Sequence, residues 1–90
     1  MENVMKTKFT FFSDPGHGWL KVNMSDLPTV GLKSSDITPF SYQHGDFLYL
    51  EEDCDASRFI EAYQKTFGNA PLYKERSCNG RSRIRSFAIT

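Results

Sequence analysis

The chain has 90 residues, no formal net charge (eleven basic against eleven acidic side chains) and a hydrophobic fraction of 39%. That length suits a single domain over residues 1–90 with a modest core, and no apolar run is long enough to span a bilayer. The charge balance argues against a generic nucleic-acid coater, which needs excess Lys and Arg, and against a whole-surface nucleic-acid mimic, which needs excess carboxylate.

The opening MENVMKTKFTFF lacks the long apolar core of a secretory signal, so the cytoplasm is the expected compartment. "KTKFTFFS" alternates Phe9 and Phe11 with polar residues and reads as a strand. "DPGHG" follows as a turn, and "WLKVNM" sets Leu20, Val22 and Met24 on one face and Trp19, Lys21 and Asn23 on the other. The two runs read as a β-hairpin, with Gly16 and Gly18 in backbone conformations barred to other residues. A short helix is expected near residues 25–31, capped by Ser25 or Asp26 and ended by Gly31.

"ITPFSYQ" and "DFLYLE" flank His44-Gly45 and read as a second hairpin. The main helix is expected over Asp55–Phe67, where Phe59, Ala62, Tyr63, Thr66 and Phe67 form one stripe. Asp53 or Asp55 is its natural N-cap and Gly68 its stop. "LYKERS" and "RSRIRSF" flank Cys78-Asn79-Gly80, whose Asn-Gly pair signals a third hairpin. The expected fold is α+β: a small antiparallel sheet built of hairpins, with the 55–67 helix packed on one face.

Four groups of residues invite a functional reading. His17 needs an orienting acid and a reacting partner to be catalytic; Asp14 is at hand for the first, but no motif supplies a nucleophile, so no catalytic residue is assigned. His17, His44, Cys54 and Cys78 lack the short pair spacing of structural zinc sites, so no metal or other cofactor is expected. Two cysteines are too few for a disulfide framework, and free thiols are expected.

The acidic block "LEEDCDA" lacks the alternating oxygen ligands and the glycine of a calcium loop. Its acids suit a helix N-terminus, and Glu51, Glu52, Asp53 and Asp55 together make an acidic rim able to meet a partner's Arg and Lys. Opposite in sign are Lys74, Arg76, Arg81, Arg83 and Arg85. The last three alternate, so a strand would present them from one face as a phosphate-reading ladder. The competing reading is that these charges are solvated or pair with the acidic block. Trp19 and Tyr49 are the aromatic anchors, where exposed.

At "FFSDPGHGWLKV", "SYQHGDFLYLEEDCDASRF" and "RSRIRSF" the chain resembles small uncharacterised bacterial proteins carried by phages, plasmids and other mobile elements. They share the DPGHGWL-type turn and the YLEEDCDA block, and the resemblance covers most of the chain. It carries over no catalytic residue. The mobile-element setting implies a phage-encoded inhibitor of host defence, similar in size and build to anti-CRISPR proteins. Such a protein is expected to bind a type I CRISPR–Cas surveillance ribonucleoprotein, through Cas proteins and guide RNA, and to block target DNA by occlusion. Neither an enzymatic activity, a small-molecule substrate nor a membrane partner belongs to this reading. The alternatives are a phage accessory protein that binds nucleic acid, and a small enzyme or metal protein built around His17, His44 and Cys78.

Overall fold

Alternation decides the two faces of the sheet before anything packs on them. The computed structural model describes residues 8–78, 80, 84 and 87–89. Its strands are β1 (Lys8–Ser13), β2 (Gly18–Asn23), β3 (Tyr42–His44), β4 (Phe47–Glu51), β5 (Leu72–Ser77) and the two-residue β6 (Ala88–Ile89). Its helices are α1 (Asp26–Thr29) and α2 (Asp55–Phe67), with a 3-10 turn at Ser34–Asp36. One sheet runs in the order β5-β1-β2-β4-β3-β6.

The register pairs Phe11 with Leu20, Leu20 with Leu50 and Val22 with Leu48. Directly opposed residues share a face, so Phe9, Phe11, Leu20, Val22, Leu48 and Leu50 point one way. Against them α2 sets Ala56, Phe59 and Tyr63, while Leu27 and Val30 close one side. Phe9 meets Phe59 edge-on at 5.5 Å and Tyr63 at 6.0 Å. Each fully buried side chain of this size contributes about 1.5–3 kcal/mol, so this seam holds the helix to the sheet. α2 ends at Gly68, whose φ of 86° is the left-handed conformation glycine adopts without steric cost, and whose N–H donates to the Gln64 carbonyl at 2.8 Å.

The opposite face is also covered. Trp19, Tyr49 and Ile84 are buried there, with Phe12, Tyr42, Phe47 and Phe87 packed against them. Burial pushes the Tyr49 phenol above its ordinary value. Trp19 and Tyr49 are therefore core residues here, and neither is an exposed anchor.

The α+β class, the first two hairpins, the short helix and α2 on one face all match the sequence reading. The third hairpin is not seen among the described residues, since Asn79 and most of its second strand lie outside them. β5 pairs parallel to β1, from Lys8↔Leu72 to Ser13↔Ser77, so the sheet is mixed. The reason is α2: a 13-residue helix spans about 20 Å and carries the chain from the end of β4 back to the other end of the sheet. The next strand must then run in the same direction as β4 and β1. Beyond it, Ile84 packs under Trp19 and Tyr49, Phe87 donates its N–H to the Ile84 carbonyl at 3.0 Å in a turn, and β6 joins β3 at the far edge. Of the strand expected over 81–87, only Ile84 and Phe87 fall among the described residues; the remainder lies outside them.

The DPGHG corner differs from expectation in one respect. Asp14 Oδ1 accepts the backbone N–H groups of Gly16 and His17, each at 3.0 Å, and fastens the turn. Neither Gly16 nor Gly18 has a φ in the left-handed region; at Gly18 a Cβ would lie 2.4 Å from Phe11 Cζ. Glycine is required at this position by the neighbouring ring rather than by backbone angle.

Candidate functional site

One end of the sheet collects most of the chemistry in the chain. The strand pairings put the 14–18 turn, the end of β4, the N-terminus of α2 and the end of β5 there. Between the turn, the loop before β3 and the 51–54 corner lies an open cleft of about 390 Å³. His17, Trp19, Phe40 and Tyr42 supply its aromatic lining; Glu51 and Asp53 supply carboxylates, and Pro39 and Cys54 complete the wall. Trp19 stands between His17 and Tyr42, with ring centroids 6.2 Å away on either side.

The loop that carries Pro39 and Phe40 is fixed by a buried carboxylate. Asp55 Oδ2 accepts the Thr38 N–H at 3.0 Å, the Thr38 hydroxyl at 2.7 Å and the Ser41 hydroxyl. Ser41 Oγ in turn accepts the Glu51 N–H at 2.9 Å. Thr38 Oγ1 also accepts the Phe40 N–H at 3.2 Å. One side chain thus ties α2, β4 and the loop together. It also explains why the strand expected from Ile37 begins only at Tyr42: Thr38 and Ser41 spend their polar groups on Asp55. Asp55 Oδ1 has no hydrogen-bond partner among the described residues.

The acidic rim consequently splits. Asp55 is fully buried and leaves the rim; its role is the tether just described. The N-cap position of α2 falls to Cys54, with no side-chain cap bond. Glu51 is half-buried, and its Oε1 accepts the N–H groups of Asp53 and Cys54 at 3.0 Å each, which shapes the corner. Glu52 and Asp53 are exposed. The surface rim is therefore Glu51, Glu52 and Asp53.

Of the basic set, Lys74 and Arg76 lie on β5, all six residues of which are exposed. Both point to the Trp19 face of the sheet, because Arg76 pairs with Phe12, Phe12 with Trp19 and Trp19 with Glu51. Arg76 and Glu51 close the two ends of this one row, roughly 14 Å apart at three strand spacings. Arg81, Arg83 and Arg85 lie outside the described residues.

The histidines and cysteines do not converge. His17 and Cys54 line the cleft. His44 stacks on Phe87 at 4.4 Å, at the other end of β4. Cys78 follows β5 and donates its N–H to the Ser13 carbonyl. Both thiols are free. Desolvation, then the carboxylates of Glu51, Asp55 and Asp53, push the Cys54 thiol above its ordinary value, and a protonated thiol is a poor nucleophile. Among the described residues no three His, Cys, Asp or Glu side chains are grouped so as to hold a metal ion, and no helix is long and apolar enough to cross a membrane.

Sequence reading missed Phe40, Pro39 and Tyr42 as parts of a site. The available signal was an aromatic residue directly after a proline, in a segment that resembled a strand; only the closure of the loop onto Asp55 turns it toward His17. Comparison with protein-family models, with curated proteins and with solved structures gave no match.

Proposed function

We propose that this protein acts by docking, as a phage-borne inhibitor of host defence of the anti-CRISPR kind, occluding the nucleic-acid path of a type I surveillance ribonucleoprotein. The observation that carries the docking part is the two-signed end of the sheet. Exposed Lys74 and Arg76 stand on a strand that is the sheet edge among the described residues, and a few strands away Glu51 and Asp53 line the cleft, with Glu52 exposed next to them. Separated patches of opposite sign on a neutral chain suit a target built of protein and RNA together. The basic edge approaches phosphates or an acidic protein surface, and the acidic rim meets the basic side chains that otherwise hold nucleic acid. The choice of defence complexes as targets rests on the resemblance to mobile-element proteins.

A plaque assay in a CRISPR-immune host tests the whole reading. Expression of the protein should restore phage plating, and its affinity capture from that host should retrieve one multi-subunit complex. Unchanged immunity would overturn the inhibitor assignment. Retrieval of phage replication factors instead would favour an accessory role. Joint reversal of Arg81, Arg83 and Arg85 to Glu tests the basic segment: capture unaffected by that change means these side chains are merely solvated.

A further inference from the structure

The cleft has walls of a particular chemistry. Its aromatic rings come from His17, Phe40 and Tyr42 around the edge of Trp19, and its charges from Glu51 and Asp53 are of one sign. Among the described residues no Lys or Arg lines it. Phe40 is 66% exposed, so its ring is held in water beside the cleft and contributes little to the core. It is also held in place: its N–H bonds Thr38, and Thr38 bonds the buried Asp55. Glu51 is likewise fixed, since the backbone amides of Asp53 and Cys54 anchor Oε1.

π-faces attract cations, and two carboxylates reinforce the same preference. A guanidinium fits this set better than an ammonium. It is planar, weakly hydrated, able to stack on a ring and able to fork onto carboxylate oxygens at the same time. The volume of about 390 Å³ lies within the usual range for a small-ligand pocket, roughly 300–1,000 Å³, and an arginine side chain reaches into it without its backbone.

We propose that this cleft is an arginine receptor: it takes the guanidinium of one arginine side chain projecting from the partner protein, between Phe40 and the Glu51–Asp53 carboxylates. The proposal rests on the docking reading and names the chemistry by which its acidic half grips. It also explains why an aromatic side chain is kept exposed on a loop that a buried carboxylate makes rigid.

Trp19 is the only tryptophan and lines the cleft, so its fluorescence reports the site. Titration with N-acetyl-arginine methylamide should change that emission saturably, and the citrulline isostere, equal in shape but uncharged, should not. Glu51→Gln with Asp53→Asn should weaken the response at least about tenfold, and Phe40→Ala by about three- to tenfold. Glu51→Gln retains an oxygen for the corner amides, and Asp53 and Phe40 are exposed, so thermal melts of these variants should stay near that of the parent. Absence of a saturable change, or an equal response to citrulline, would overturn the receptor. Capture from lysate separates the two ideas. A target complex retained equally by the parent and by a variant combining Phe40→Ala, Glu51→Gln and Asp53→Asn leaves docking intact and removes the cleft from it. Arginine binding with no complex captured leaves the receptor standing and sinks the inhibitor reading.

Discussion

The acidic corner at residues 51–55 and the basic strand β5 carry opposite charge, and the fold holds them in opposite ways. On β5 every side chain is exposed, so Lys74 and Arg76 face water whatever their neighbours do. In the corner, four carboxylates within five residues meet different fates. Asp55 is fully buried and accepts three hydrogen bonds, Glu51 folds back onto two amides, and Glu52 and Asp53 stay in solvent. Charge counted along a chain is therefore not charge presented at its surface. An edge strand presents what it carries, whereas a strand-to-helix corner sorts its acids between structure and surface.

The sharpest way to break that contrast is Asp55→Ala. It removes the acceptor of the Thr38 N–H and of the Thr38 and Ser41 hydroxyls, and losing a buried acceptor shared by three donors is costly. The expected loss is about 3 kcal/mol in urea unfolding, and Asp55→Asn, which keeps one acceptor oxygen, should lose less. A change below about 0.5 kcal/mol for the alanine variant would show that the tether does not hold the corner.

The seam joining β5 to the rest of the sheet comes next. Gly18→Ala places a methyl against the Phe11 ring, which also contacts Tyr73 of β5 at 5.9 Å. Overpacking of this kind costs about 1–3 kcal/mol, and amide hydrogen exchange should rise in β5 first. Uniform loss across the sheet would mean that β5 is not held through Phe11.

Smaller in stability terms is the basic strand itself. Lys74→Ala with Arg76→Ala should shift the unfolding free energy by no more than about 0.5 kcal/mol, as for other exposed substitutions, yet slow association with the target and flatten its salt dependence. A large stability loss would place these side chains in structure, like Asp55.

The last effect is on reactivity alone. Because local desolvation and the neighbouring carboxylates raise the exposed Cys54 thiol, less thiolate is present at neutral pH. Alkylation of Cys54 by iodoacetamide should run slower at pH 7 than that of an unstructured cysteine peptide and accelerate at higher pH. Glu51→Gln with Asp53→Asn should shift that rise toward lower pH, since two like charges are gone. A profile unmoved by the double change would mean that the carboxylates do not bear on the thiol.

By itself the sequence determined what short-range geometry can specify. Period-two alternation marked β1, β2 and β4 as strands and set Leu20 and Val22 on the face opposite Trp19 and Lys21. The stripe ending at Gly68 marked α2 to the residue, because helix and strand periodicities and turn chemistry act over a few neighbours. It also identified the acidic and basic segments, though not which acids reach water.

Only the tertiary structure decided the rest. Asn79-Gly80 is a strong local hairpin signal, but the return of α2 fixed the direction of β5, and β1 offered it an edge. Trp19 and Tyr49 became core because Ile84, more than thirty residues further along, packs beneath them. The cleft joins residues 17, 40, 51 and 53, three separate stretches: Asp55 ties the loop of Phe40 to the 51–53 corner, and the pairing of β2 with β4 sets the His17 turn beside them. Such contacts depend on which distant groups satisfy one another's burial and hydrogen bonding, and no local pattern encodes that.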